Sequence, residues 1–238
     1  MLQILNTQPV EKQEEGTGET LDVFKIWLTL QGEGPFAGTP ALFVRLAGCN
    51  LSSSCPRCDT DYTSHRERLT LKQILVDKIE ELCKDRAIPR LIVLTGGEPF
   101  RQSIGQFANK AIGYGFKVQV ETNGTLFQPN MPYMDWRFSI VCSPKSPKLN
   151  QQLVPFIRAY KYIIQAGQVD PLDGLPLTSM GNTSSIARPD DKVKEVFLQP
   201  LDEQDPEANK RNTQAAIDSC LRFGYRLSYQ IHKLVGLE

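Results

Sequence analysis

The sequence predicts an α/β protein built on a largely parallel sheet, with an open polar interior as in a partly filled barrel. Three observations predict it. From Phe24 onward, short apolar runs alternate with helical patterns, the arrangement of repeated strand–helix units. Residues 116–121 (FKVQVE) alternate strictly: Phe116, Val118 and Val120 point one way, Lys117, Gln119 and Glu121 the other. A polar inner face and an apolar outer face covered by helices explain that pattern. The chain has 238 residues, enough for one barrel-sized domain.

The elements follow in order. Residues 6–20 are polar and rich in Glu, Gln and Gly, which predicts a loose or loosely docked extension over 1–20 and a single domain over 21–238. Residues 41–47 (ALFVRLA) predict a strand that ends at a cysteine-rich loop. Thr70-Leu71-Lys72-Gln73 has the spacing of a capping box, with Thr at the N-cap and Gln three residues on. Leu71, Ile74, Leu75, Ile79 and Leu82 then share one helical face. Residues 91–94 predict a short buried strand, followed by the turn Thr95-Gly96-Gly97-Glu98-Pro99. Ile104, Phe107, Ala108, Ala111 and Ile112 predict a helix stopped near Gly113 or Gly115. Further strands are expected at Phe138–Cys142, 160–164 and 193–198. Residues 167–191, rich in Gly, Pro, Ser and Asp without periodicity, predict a long loop or insertion. Asp205-Pro206 opens a helix as N-cap and N1, closed near Gly224, and residues 226–230 predict a last strand.

Composition excludes several classes. Lys+Arg and Asp+Glu both number 27, so no broad electrostatic grip on nucleic acid is expected. No apolar run approaches the length of a membrane span. The first twenty residues lack the basic start and apolar stretch of a secretory signal, which predicts a cytoplasmic protein. Six cysteines are too few for a disulfide scaffold, and three of them cluster, as in a metal or cluster site.

That cluster carries the chemistry. Cys49, Cys55 and Cys58 fall within ten positions. Three thiolates can hold three irons of a [4Fe–4S] cluster and leave the fourth with an open position, as catalytic metals do. A zinc site completed by a distant histidine is the competing reading; only His65 and His232 exist, and Cys58-x6-His65 is longer than typical zinc spacing. Cys83, Cys142 and Cys220 sit in apolar patterns and read as inert buried thiols. Glycines in the Thr95–Pro99 turn let the backbone approach a ligand closely, and Glu98 can accept a hydrogen bond from an ammonium.

A strand, a cysteine loop, then a strand ending in Gly-Gly-Glu-Pro resembles the radical S-adenosylmethionine (SAM) enzymes. The usual spacing there is Cys-x3-Cys-x2-Cys; here it is Cys-x5-Cys-x2-Cys, the extra residues falling among Ser52, Ser53 and Ser54. The segments FKIWLTLQGEGPFAGTPALFVRLAGCN, CDTDYT, LTGGEPFRQ, VETNGT, CSPK, LQPLD and LSYQIHKLVGLE narrow the resemblance to the 7-carboxy-7-deazaguanine synthase family. It implies a modified, compact, incomplete (β/α) barrel of radical SAM type that forms a homodimer and is reduced by a flavodoxin or ferredoxin. It implies conversion of 6-carboxy-5,6,7,8-tetrahydropterin to 7-carboxy-7-deazaguanine with loss of ammonia, on the route to queuosine-type nucleosides. A glycyl-radical activase would use the same cluster without Gln31-Gly32-Glu33-Gly34 or Thr60, and a zinc-binding interaction module would use the cysteines alone.

The resemblance also implies roles. Cys49, Cys55 and Cys58 hold the [4Fe–4S] cluster, and Thr60 supplies a hydroxyl to Mg2+, a hard cation often held partly by substrate. Arg57, Gly97, Glu98, Ser143, Pro144, Lys145, Gln199, Pro200, Leu201 and Asp202 contact SAM. Leu30, Gln31, Gly32, Arg45 and Thr95 contact the pterin. Arg45 sits mid-strand among apolar residues and needs a partner, for which the substrate carboxylate and an internal Asp or Glu are both open. Glu121 and Asn123 end the alternating strand, where lining a site and closing a strand are both open, and His232 carries no assigned role.

Overall fold

A computed structural model describes residues 6–51, 55–56, 58, 60–179, 183–190 and 194–237. Strand β1 (Thr20–Leu30) folds back onto β2 (Pro40–Leu46) as an antiparallel hairpin, and its other edge pairs with β3 (Glu67–Thr70). Neither β1 nor β3 was delimited by periodicity. In β1 polar and apolar residues do not keep one period (TLDVFKIWLTL), and the β1–β2 register shifts between Val23 and Lys25, so its alternation breaks midway.

The capping box forms as expected: the Thr70 N–H donates to Gln73 Oε1 (2.8 Å) and the Gln73 N–H to Thr70 Oγ1 (3.3 Å). The helix it opens has a π-helical turn, Gln73–Asp77, before α1 (Lys78–Leu82). Strand β4 (Leu91–Gly96), helix α2 (Gly105–Gly113) and strands β5 (Lys117–Thr122), β6 (Phe138–Cys142), β7 (Ile157–Ile164) and β8 (Glu195–Pro200) follow. Helix α3 (Pro206–Phe223), the short strand β9 (Arg226–Leu227) and helix α4 (Ile231–Leu234) complete the chain. Asp205 caps α3 by accepting from the Ala208 N–H (2.7 Å), and Gly224 closes it in the left-handed conformation (φ 77°).

One sheet of nine strands results, in the order β3-β1-β2-β4-β5-β6-β7-β8-β9, parallel from β2 to β9 and not closed on itself. Among the described residues, α1, α2 and α3 each lie in a parallel crossover, while the connections from β5 to β6, β6 to β7 and β7 to β8 contain no α-helix. This is the compact, incomplete barrel expected. The last strand departs from expectation: residues 228–230 leave the sheet after β9, and Gln230 becomes the N-cap of α4. The Gln230 side chain is drawn instead to Glu33 (2.7 Å).

Residues alternate between two environments along each strand. Leu42, Val44, Ile92, Leu94, Val118, Val120 and Ile140 face the helices in the main core and are fully buried, each contributing roughly 1.5–3 kcal/mol of burial. The other face carries only small apolar clusters, Ala41 with Leu91 and Val93, and Val141 with Ala159 and Phe197. Alongside Trp27, Phe43 and Ile163, this face carries polar and charged side chains such as Arg45, Thr95, Glu121, Lys161 and Gln199, and a cavity opens on it. Replacing Asp205 by Ala should cost about 0.5–2 kcal/mol of unfolding free energy, read from urea denaturation, because α3 loses its cap at no cost to the inner face.

Candidate active site

A cavity of about 440 Å3 opens at the carboxyl ends of the parallel strands, where (β/α) barrels build their sites. Its walls are set by register. Arg45 on β2 pairs with Thr95 on β4, Glu121 on β5 with Val141 on β6, and Ile163 on β7 with Gln199 on β8; all line the cavity.

Cysteine placement depends on two glycines. The Gly97 N–H donates to Leu46 O (3.3 Å) and the Glu98 N–H to Gly48 O (3.1 Å), so the turn after β4 lies directly against the start of the cysteine loop. A Cβ on Gly96, which has φ 132°, would stand 2.2 Å from Leu46 O, and one on Gly97 2.1 Å from Gly48 O. Only glycine permits this approach. Cys49 and Cys55 are buried, Cys58 is half-buried, and all three line the cavity with Thr60. Burial pushes the Cys49 thiol up to about 12, so its thiolate needs a bound cation. Among the described residues no three His, Cys, Asp or Glu side chains converge on a single ion.

Glu98 is placed differently from the expectation that it meets a ligand ammonium. It is fully buried and does not line the cavity. Oε1 accepts from the Phe100 N–H (3.0 Å) and the Thr122 hydroxyl (2.7 Å), and Oε2 from the Asn123 N–H (2.8 Å). Burial raises its carboxyl to about 7. The carboxylate ties the β4 turn to the end of β5.

On the cavity wall, the Arg45 guanidinium lies over the rings of Trp27 (5.0 Å) and Phe24 (5.9 Å), a cation–π arrangement that orients it. Its Nε is buried with no hydrogen-bond partner, and no Asp or Glu pairs with it among the described residues. Across the cavity, the Glu121 carboxylate accepts from Gln31 (3.0 Å), Gln119 (3.1 Å) and Thr95 (3.2 Å). Lys145 Nζ donates to Ser143 Oγ (2.9 Å).

A third group was not anticipated. Glu33 pairs with Lys161 and accepts from Gln230 (2.7 Å). The Gln199 amide also donates to it when its nitrogen faces the carboxylate (3.0 Å). Burial alone would raise the Glu33 carboxyl, but Lys161 and Gln230 outweigh it and hold it below the usual range. His232, lowered chiefly by burial, packs against Gly32: a Cβ there would meet its Nδ1 at 1.8 Å. The Ile231 N–H donates to Gly32 O (3.2 Å) and Lys233 Nζ to Asp202 Oδ2 (2.7 Å). Helix α4 thus borders the mouth of the cavity.

Leu30, Gln31, Arg45, Thr95, Gly97, Ser143, Lys145 and Gln199 line the cavity with the cysteines and Thr60. Gly32, Glu98 and Pro144 do not. Pro200, Leu201 and Asp202 line a second cavity of about 170 Å3, which shares Gln230 and Lys233 with the first. Arg57 lies outside the described residues, as do Ser52, Ser53, Ser54 and Glu238. Trp27, Glu33, Lys161 and Gln230 line the cavity without having been singled out; all but Lys161 had a signal, their place in the family-like segments FKIWLTLQGEGPFAGTPALFVRLAGCN and LSYQIHKLVGLE.

An open (β/α) barrel, a carboxyl-end cavity, three cysteines after its first parallel strand and a Gly-Gly-Glu turn after the next define an enzyme of the radical SAM class. No protein-family model matches the chain. It is 43% identical to a 7-carboxy-7-deazaguanine synthase of Rhodospirillum rubrum over 240 residues, covering 96% of this chain and 97% of the relative. It is 38% identical to one of Rickettsia prowazekii, covering 94% and 91%. The crystal structure of QueE from Escherichia coli superposes with a TM-score of 0.66 at 23% identity, over 89% of this chain and 94% of that one, a likeness of fold. The chain belongs to the 7-carboxy-7-deazaguanine synthase family.

Two substitutions test this geometry. Glu98→Gln keeps an acceptor for Phe100 and Thr122 but sets an NH2 against the Asn123 N–H; it should cost about 1–3 kcal/mol in urea unfolding. Gly32→Ala should displace His232 and free α4, seen as new protease cleavage within 230–237 with circular dichroism unchanged.

Proposed function

We propose that this chain converts 6-carboxy-5,6,7,8-tetrahydropterin to 7-carboxy-7-deazaguanine and ammonia, as its family's name and the cavity's chemistry suggest. The observation that carries the reading is the joint placement of Cys49, Cys55, Cys58, Thr60 and the orphaned Arg45 on one cavity. Cys49, Cys55 and Cys58 would hold a [4Fe–4S] cluster, three thiolates on three irons leaving the fourth iron open. When bound, the cluster supplies the electron that cleaves SAM to a 5′-deoxyadenosyl radical.

The protein's part is to bind, orient and exclude. Among the described lining residues, Arg45, Lys145, Lys161 and Lys233 are cationic against Glu33 and Glu121, a surplus suited to a carboxylate-bearing substrate and cofactor. Arg45, oriented over the rings of Trp27 and Phe24, would offer its guanidinium to the pterin carboxylate. Glu121, fixed by Gln31, Gln119 and Thr95, offers acceptors to the ring N–H groups. Ser143, Lys145 and Gln199 bound the side on which SAM is expected, with Pro200, Leu201 and Asp202 continuing that wall into the smaller cavity. Thr60 offers one hydroxyl to Mg2+, the rest of the shell coming from substrate and water.

Residues 21–238 act as one catalytic domain, in a cytoplasmic homodimer reduced by a flavodoxin- or ferredoxin-type donor. Among the described residues no helix is long and apolar enough to cross a membrane.

The test is turnover of carboxytetrahydropterin by anaerobically purified, reduced protein with SAM and Mg2+. Formation of the deazaguanine product is expected; its absence from protein loaded with iron and sulfide would sink the reading, and zinc without iron would favour a binding module instead. Arg45→Gln should lower kcat/KM about 100-fold, mostly through KM, since one charged hydrogen-bond partner is lost.

A further inference from the structure

Residues 6–14 carry no helix or strand, yet their polar groups are spent on the cysteine loop. The Glu11 N–H donates to Cys49 O (2.8 Å), the Asn6 N–H to Pro56 O (2.8 Å) and Asn6 Nδ2 to Cys55 O (3.3 Å). Gln8 makes a bridge: its Nε2 donates to Thr60 O (2.9 Å), while its Oε1 accepts from the Tyr62 N–H (2.9 Å) and the Thr63 hydroxyl (3.1 Å). The far end of the segment is anchored elsewhere. Fully buried Arg101 pairs with Glu14 (2.6 Å) and Glu11 (3.2 Å), and Gln13 Nε2 donates to Phe100 O (2.9 Å) and Phe127 O (3.0 Å).

We propose that Gln8 is a positioning residue for the metal-binding hydroxyl of Thr60, and that residues 6–14 form a strap that holds the cysteine loop in shape. This rests on the reading of Thr60 as the Mg2+ ligand. Residues 60–62 belong to no strand, so no sheet ladder sets their dihedral angles. The Gln8 amide takes the place of a neighbouring strand, binding the carbonyl of residue 60 and the N–H of residue 62 at once. The Thr60 Cα–Cβ direction follows from that stretch of backbone, and with it the positions its hydroxyl can reach from each χ1 rotamer. Groups that orient a metal ligand from behind are commonly worth about 10–100-fold in metal affinity.

Gln8→Met preserves the volume and removes both hydrogen bonds. Gln13→Met disturbs the same strap at a point that does not touch Thr60. In the reconstituted full-length enzyme, Gln8→Met should raise the Mg2+ concentration for half-maximal turnover about tenfold while kcat at saturating Mg2+ stays within about twofold. By hydrogen exchange, the Tyr62 amide should lose protection in Gln8→Met. Gln13→Met should leave both readouts as in the parent. A parental Mg2+ dependence in Gln8→Met overturns the proposal, as does an equal shift in Gln13→Met, which would make the strap a matter of packing alone. If the parent enzyme is indifferent to Mg2+, the reading of Thr60 falls and takes the proposal with it; a Mg2+-dependent parent with an unshifted Gln8→Met removes this inference alone.

Discussion

The site depends on one backbone-to-backbone contact, between the Gly96-Gly97 turn and the end of β2. Two peptide planes approach so closely that a Cβ at either glycine would fall 2.1–2.2 Å from a carbonyl oxygen. That contact delivers Cys49 to the cavity beside Gly97. It also turns Glu98 inward, where its carboxylate ties Phe100, Thr122 and Asn123 together. The carboxyl ends of β2, β4 and β5 are thereby joined through a turn of five residues.

Charge is arranged around that frame in two ways. Arg45 keeps a buried Nε without a hydrogen-bond partner in a wall of aromatic rings, which costs stability. Glu33 is met by Lys161, by Gln230 and by Gln199. A buried pair of this kind adds little net stability, but Gln230 brings with it α4 and the His232 that packs on Gly32. The network therefore shapes the mouth of the cavity more than it holds the fold together.

Local chemistry made much of this legible. The capping box of Thr70 and Gln73, the Asp205 cap and Gly224 stop of α3, and the alternation of residues 116–121 all depend on neighbours a few positions away. The cysteine triplet and the Gly-Gly-Glu turn were visible for the same reason. Strands β1 and β3 were not, because a bulge breaks the period of one and the other is only four residues long. The last strand was overestimated because the pull of Glu33 on Gln230 acts across 197 positions.

The sequence by itself determined the fold class and the family to which the chain belongs. Only the tertiary structure decided that Glu98 is tied to Phe100, Thr122 and Asn123, that Glu33 meets Lys161, and that residues 6–14 bind Cys49, Cys55, Pro56 and Thr60. The physical reason is the range of the interactions. Caps, turns and alternation are written in residues one to four apart, whereas a buried carboxylate takes its role from whichever donors the folded sheet brings to it.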